Sequence, residues 1–227
     1  MAETPEPVEE SQPAMDLSRI SDDVRQRMDR RIAARERALP ASRRSIRASA
    51  NAIRAIHRGE ADAAAGLIDE SREHLREAQR ALAAEPEVLF AGFVQDAEKE
   101  HAEAQLTRAL VTDGQMPDPD GLGVGIAPYL NGMAESIGEG RRAILDRLRR
   151  GEVRDSERIL AAMDDMFGML VTMDYPDAVT GNLRRSTDVA RSLVEKTRGD
   201  LTSSIVQENL RESLDRHARE VLGGPGD

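Results

Sequence analysis

The chain has 227 residues, no Cys, no Trp, only 2% aromatic residues and a formal net charge of -10. The lack of Cys excludes a disulfide framework and any thiolate metal site, and it suits a reducing, cytoplasmic setting. A uniformly acidic surface repels phosphates, so any nucleic-acid binding has to use a local basic face. No stretch approaches the roughly 18 apolar residues of a membrane span, which leaves no membrane in the expected partners.

Residues 1–14 are acidic and Pro-rich, lack the basic and apolar regions of a signal peptide, and read as a disordered tail. Residues 15–222 read as a single helical domain. Leu17, Ile20, Val24, Met28 and Ile32 recur at helical spacing, and Pro40 is expected to break or kink this run. A second run carries Ile46, Ile53 and Ile56 and stops near Gly59. The next spans about Ala61 to Ala83. Another runs from about Val88 to Val111. The segment DGQMPDPDGLGVGIAP, dense in Pro, Gly and Asp, is the one long loop. Helices follow from Tyr129 to Arg150 and from about Val153 to Met173. DYPDAVTG breaks the pattern before a last run from about Leu183 to Leu222, and 223–227 fray. The expected fold class is all-α, with about seven helices and no strand.

Two helices carry paired carboxylates. In FVQDAEKEHAEA, Glu100 and Glu103 are spaced i, i+3 and share a face, with Asp96 one turn earlier. In YLNGMAESIGEGRR, Glu135 and Glu139 are spaced i, i+4. Packed side by side, the two helices aim four carboxylates at one point. Such a cluster repels itself unless a cation lies within it. Oxygen ligands without Cys suit Mg2+ or Mn2+, and that ion suits phosphodiester cleavage. With Asp+Glu at 42, a solvated acidic face is the competing expectation. Against it stand Gly132, Gly138 and Gly140, which interrupt a helix at a cost and point to close backbone approach. Ala97, Ala102 and Ala104 place the first pair on a helix inside a bundle. Glu98 and His101 form a single E-x-x-H, where a di-iron site needs two.

The cations are nearly all Arg, with Lys only at Lys99 and Lys196. The first long helical region carries Arg43, Arg44, Arg47, Arg54 and Arg58, of which Arg43, Arg47, Arg54 and Arg58 fall near one helical stripe and are expected to form a phosphate track. Ion pairing with neighbouring helices is the equal alternative. Arg184, Arg185 and Arg191 add a second basic stretch. Scarce aromatic residues limit base stacking and favour backbone recognition.

Four stretches, in order and spanning Arg35 to Arg191, together resemble the translin family, above all its translin-associated factor X branch and archaeal relatives. They are ERALPASRRSIRASANAIRAIHR, AGFVQDAEKEHAEA, PYLNGMAESIGE with LRRGE, and DYPDAVTGNLRRSTDVAR. The resemblance implies a seven-helix protomer, a hollow homo-octamer, and RNA, or single-stranded DNA, as partner. It further implies Mg2+-dependent endoribonuclease activity. The family's E-x-x-E matches Glu100 and Glu103. Its Asp on the next helix falls at Glu135, one methylene longer, and a further acidic residue falls at Glu139. Glu100, Glu103 and Glu135 are the implied catalytic residues, with Glu139 a further metal ligand. Arg43, Arg44, Arg47, Arg54, Arg184 and Arg185 are the implied nucleic-acid contacts. A shell that binds nucleic acid without cleaving it is the alternative. Where the non-catalytic branch carries a VTAGD-type nucleotide motif, this chain reads LRRGE, so GTP binding is not expected.

Overall fold

The computed structural model describes residues 17–89 and 91–222. The expected tail at 1–14 and frayed end at 223–227 lie outside the described residues. Nine helices and no strand make up the described chain: α1 Ser18–His57, α2 Ala61–Leu82, α3 Pro86–Leu89, α4 Phe93–Thr112, α5 Pro119–Leu122, α6 Ile126–Arg149, α7 Arg154–Val171, α8 Asp177–Thr180 and α9 Leu183–Leu222. Six are long, and α3, α5 and α8 are single turns. The fold is all-α, as the periodicity predicts. No described helix is long and apolar enough to cross a membrane.

Several boundaries differ from the sequence pattern: the expected long loop holds the single turn α5 and the first residues of α6, which starts at Ile126 and not Tyr129, and the DYPDAVTG break holds α8. Two other differences have a clear physical cause. The runs on either side of Pro40 form one helix of 40 residues. Pro40 and Glu36, whose carbonyl lacks the N–H of residue 40, both lie on the exposed side of the helix. Ala34, Ala38 and Ala41 are meanwhile buried in a cluster with Leu75, Ala78 and Leu82 of α2. Packing along α2 therefore outweighs the local cost of proline. The helix expected from Val88 starts at Phe93 instead, because Gly92 adopts a left-handed φ of 93° that separates α3 from α4.

Helix α4 is the hub, packing on α1, α2, α6 and α7, while α6, α7 and α9 pack on one another. A helix enclosed on most sides loses the apolar stripe of a surface helix, and α4 is Ala-rich and buried over most of its length. Leu106, Leu110, Ile137, Ile144, Ile159 and Met163 fill the core where α4, α6 and α7 meet. Enclosure also forces polar residues of α4 inside, where each needs a partner. Glu98 has two, accepting from Gln79 Nε2 at 2.8 Å and from the Gly125 amide at 3.3 Å. His101 has one, the Ser71 hydroxyl at 3.0 Å from Nδ1. That hydrogen bond extends a buried seam in which Ser45 and Ser49 of α1 meet Ser71 of α2. Gln105 accepts from Arg108 at 3.1 Å, while the Thr107 hydroxyl has no partner among the described residues. Glu103, the remaining acid, has no hydrogen bond either, and around it the site is built.

Two exposed apolar stripes lie at the ends of the chain's longest helices. Ile20, Val24, Met28 and Ile32 mark the start of α1, and Val206, Leu210, Leu214 and Val221 the end of α9.

Candidate functional site

Helices α4 and α6 cross with almost no side chain between them at Gly132. A Cβ there would meet the Lys99 carbonyl oxygen at 2.7 Å and the Glu103 amide nitrogen at 3.0 Å. Of the three helical glycines expected to mark close backbone approach, Gly132 does so; a Cβ on Gly140 would instead meet the Leu110 and Met163 side chains, and one on Gly138 only Leu193 at 3.6 Å. Glu135, one turn beyond Gly132, is thereby carried onto the face of α4 that presents Glu100 and Glu103. Carboxylate oxygens of Glu100, Glu103 and Glu135 lie within 4.8 Å of one another.

The three carboxylates have different surroundings. Glu135 is exposed and binds Lys99 Nζ through both oxygens, at 2.7 and 2.6 Å. Glu100 lies 3.3 Å from the same ammonium. Glu103 is only 9% exposed and forms no hydrogen bond or ion pair with any described residue. Burial, reinforced by the charges of Glu135, Glu100 and Glu139, pushes its carboxyl up to about 8. Bare burial of a carboxylate is costly unless a proton or a cation offsets it.

Glu139, the fourth expected member, is not brought into this group. It accepts from His57 Nε2 at 2.5 Å and lies 3.7 Å from Arg142. The His57 hydrogen bond holds its carboxyl below the usual range, and burial only partly opposes this. His101 faces the serine seam, and burial lowers its imidazole to about 4.

The start of α9 closes the site. Asn131 of α6 donates to the Thr180 carbonyl at 2.8 Å and accepts from the Ser186 hydroxyl at 2.9 Å. Gly181 and Asn182 both adopt left-handed φ, 62° and 65°, which turns the chain sharply from α8 into α9. Arg185 and Ser186 then line a cleft of about 400 Å³ with Glu103 and Glu135. A second cleft, of about 630 Å³, shares Glu135 and Ser186 and holds Lys99, Asp96 and Asn131. The chemistry of the donor set fits a hard divalent cation: three carboxylates from two helices, one of them buried and unpartnered.

No family model matches the sequence. An uncharacterized protein of Methanocaldococcus jannaschii is 33% identical over 128 residues, 56% of this chain. The match spans only 57% of that relative's length. Among solved structures, AfC3PO in complex with duplex RNA aligns with a TM-score of 0.77 at 30% identity, over 83% of this chain and 97% of AfC3PO. AfC3PO is of the translin type. The chain belongs to the translin family. Apo-NeC3PO aligns at a TM-score of 0.70 with 16% identity, covering 86% of this chain and 100% of the other, and shares the fold.

On this translin-family chain the expected basic contacts divide into two sets. Arg44 binds both oxygens of Glu77 at 2.9 and 2.8 Å. Arg54 donates to Asn51 at 2.7 Å, and Arg184 to Asp174 at 3.2 Å. Arg43, Arg47 and Arg185 are exposed and have no hydrogen-bonding or ionic partner among the described residues. Sequence reasoning singles out Lys99 only as one of two lysines. Its place between Glu100 and Glu135 has no signal in spacing, because Glu135 lies 36 residues away.

Proposed function

We propose that this translin-family chain binds RNA and cleaves it as a Mg2+-dependent endoribonuclease, in the cytoplasm and as a homo-octamer. The observation that carries the reading is Glu103: a buried carboxyl without a partner, beside Glu100 and Glu135, in a cleft with an unpaired Arg185. RNA as the ligand is supported by AfC3PO, which is 30% identical and whose structure holds duplex RNA. The exposed stripes on α1 and α9 supply apolar surface for assembly.

In this reading Glu100, Glu103 and Glu135 hold the metal. Mg2+ bound there supplies polarisation of the scissile phosphate and a bound water of lowered pKa. Glu103 gives up its proton to become a ligand, so affinity for the metal rises with pH up to about 8. Arg185 faces the acidic group across the cleft and grips a phosphate oxygen of the strand. Arg43 and Arg47, free of internal ion pairs, hold the backbone farther along. Glu139 contributes through its charge on Glu103.

The test is incubation of the purified chain with labelled single-stranded RNA, duplex RNA and single-stranded DNA, with Mg2+ or EDTA. Cleavage in Mg2+ alone is expected, lost in Glu100→Gln, Glu103→Gln and Glu135→Gln, with RNA binding retained. The Lys99 bridge favours one second reading, a nucleic-acid-binding shell without catalysis, in which the ammonium permanently neutralises the acidic group. RNA binding with no cleavage in any metal decides for that reading.

A further inference from the structure

We infer that Lys99 is a tethered counter-cation that occupies the acidic group in the metal-free protein and must be displaced before a divalent metal binds there. The inference rests on the metal reading of Glu100, Glu103 and Glu135 given above.

Lys99 Nζ lies 2.7 and 2.6 Å from the two oxygens of Glu135 and 3.3 Å from Glu100. Both oxygens of one proposed ligand are therefore engaged, and part of a second. The ammonium offsets the charge of Glu135 and stands where a metal shared by Glu135 and Glu100 would sit, so the two compete for the same place. The two cations also repel each other at such range. The Lys99 stem can move: the side chain is one-quarter exposed, at 25%, and it already lines the open cleft of about 630 Å³. Lysine's flexible stem and single-point charge suit release better than the planar fork of arginine. Glu103, buried and reached by the Lys99 charge only through space, without a hydrogen bond or ion pair, is the position the tether serves least. The resident charge is therefore incomplete, and a divalent ion completes what Lys99 only partly neutralises. The consequence is a site with a built-in threshold, filled only when free metal outcompetes a cation held at high local concentration.

The two lysines of the chain, Lys99 and Lys196, make this directly measurable, because Lys196 is exposed on α9 and serves as an internal reference. The experiment titrates Mn2+ alone by calorimetry into the full chain, Lys99→Met and Lys99→Arg. It also measures brief amine acylation of wild type by mass spectrometry, with and without saturating Mn2+. Lys99→Met, similar in length and uncharged, is expected to bind Mn2+ about tenfold more tightly than wild type, while Lys99→Arg does not gain. In wild type, Mn2+ is expected to raise acylation of Lys99 and leave Lys196 unchanged. Equal Mn2+ affinity in wild type and Lys99→Met, with Lys99 acylation unmoved by Mn2+, overturns the inference and leaves the metal reading standing. No Mn2+ binding in any of the three proteins overturns both. The acylation arm needs no variant, so a folding defect in Lys99→Met cannot mask the answer.

Discussion

Gly132 of α6 packs directly on the backbone of Glu103 in α4: a Cβ on Gly132 would stand 3.0 Å from the Glu103 amide nitrogen. The crossing sets the distance between Glu135 and the pair on α4, so it governs the acidic group without contributing a ligand. Gly132→Ala is expected to cost about 1–3 kcal/mol through overpacking. It should also reduce cleavage by about 100-fold, since small misplacements at a reacting centre are that costly. Gly66→Ala in α2, where a Cβ meets nothing within 4 Å, should instead gain about 0.5–1 kcal/mol from helix propensity. Urea denaturation of both variants checks this. A Gly132→Ala protein as stable and active as wild type would show that the crossing has slack.

Stability without metal should fall as pH rises from 6.5 to 8. Burial raises Glu103 to about 8 in the folded state from an ordinary 4.5. The folded chain then keeps a proton that the unfolded chain has released. Its stabilising effect is complete below 4.5 and is lost as pH climbs through about 8. His101 acts oppositely but lower. Burial depresses it from 6.5 to about 4, so the unfolded chain gains the proton, and stability is lost as pH falls below 6.5. Across 6.5 to 8 the Glu103 effect stands alone of the two and is worth about 2 kcal/mol. Thermal denaturation in EDTA should show the decline in wild type and a flat profile in Glu103→Gln. A decline of equal size in both proteins would assign it to other groups.

The basic residues should separate by their internal pairing. Arg43→Gln and Arg47→Gln each remove an unpaired cation. Where that cation held a phosphate, the salt slope of RNA binding should fall by about 0.7–0.9. Arg44→Gln chiefly frees Glu77 from its two-oxygen pair and should alter the slope less. Filter binding of one RNA across a salt series measures this. Identical slopes for all three variants would remove the distinction.

Assembly should depend on the apolar stripe at the end of α9. Leu210 and Leu214 are each 59% exposed, an arrangement that water alone does not favour for residues one turn apart. Leu210→Asp with Leu214→Asp should leave helix content unchanged, because neither side chain supports the protomer core. Light scattering should then show wild type as eight chains and the double variant as a smaller species. An unchanged mass would move the interface elsewhere, with the stripe of Ile20, Val24, Met28 and Ile32 on α1 as the next surface to alter.

Much of this protein is determined locally. Helical periodicity, the Gly and Pro breaks and the near absence of aromatics specify an all-α chain, and nearly every long helix begins and ends close to where the pattern says. The i, i+3 spacing of Glu100 and Glu103 puts both on one face whatever surrounds them, and Gly132 announces a close crossing before the crossing is seen, while Gly138 and Gly140 face side chains. Pro40 shows the limit: local cost predicts a break, and packing on α2 overrides it. What the tertiary structure alone decides is which charges meet. Glu135 joins the pair on α4 and Glu139 turns to His57, although both stand on one face of one helix, because their neighbours come from α4 and α1. Lys99 reaches Glu135 across 36 residues, and Arg185 enters the cleft because Asn131 anchors the turn before α9. Periodicity orders side chains around their own helix axis. The electrostatics of a site depend on how several axes cross, and that is settled by the packing of the whole core.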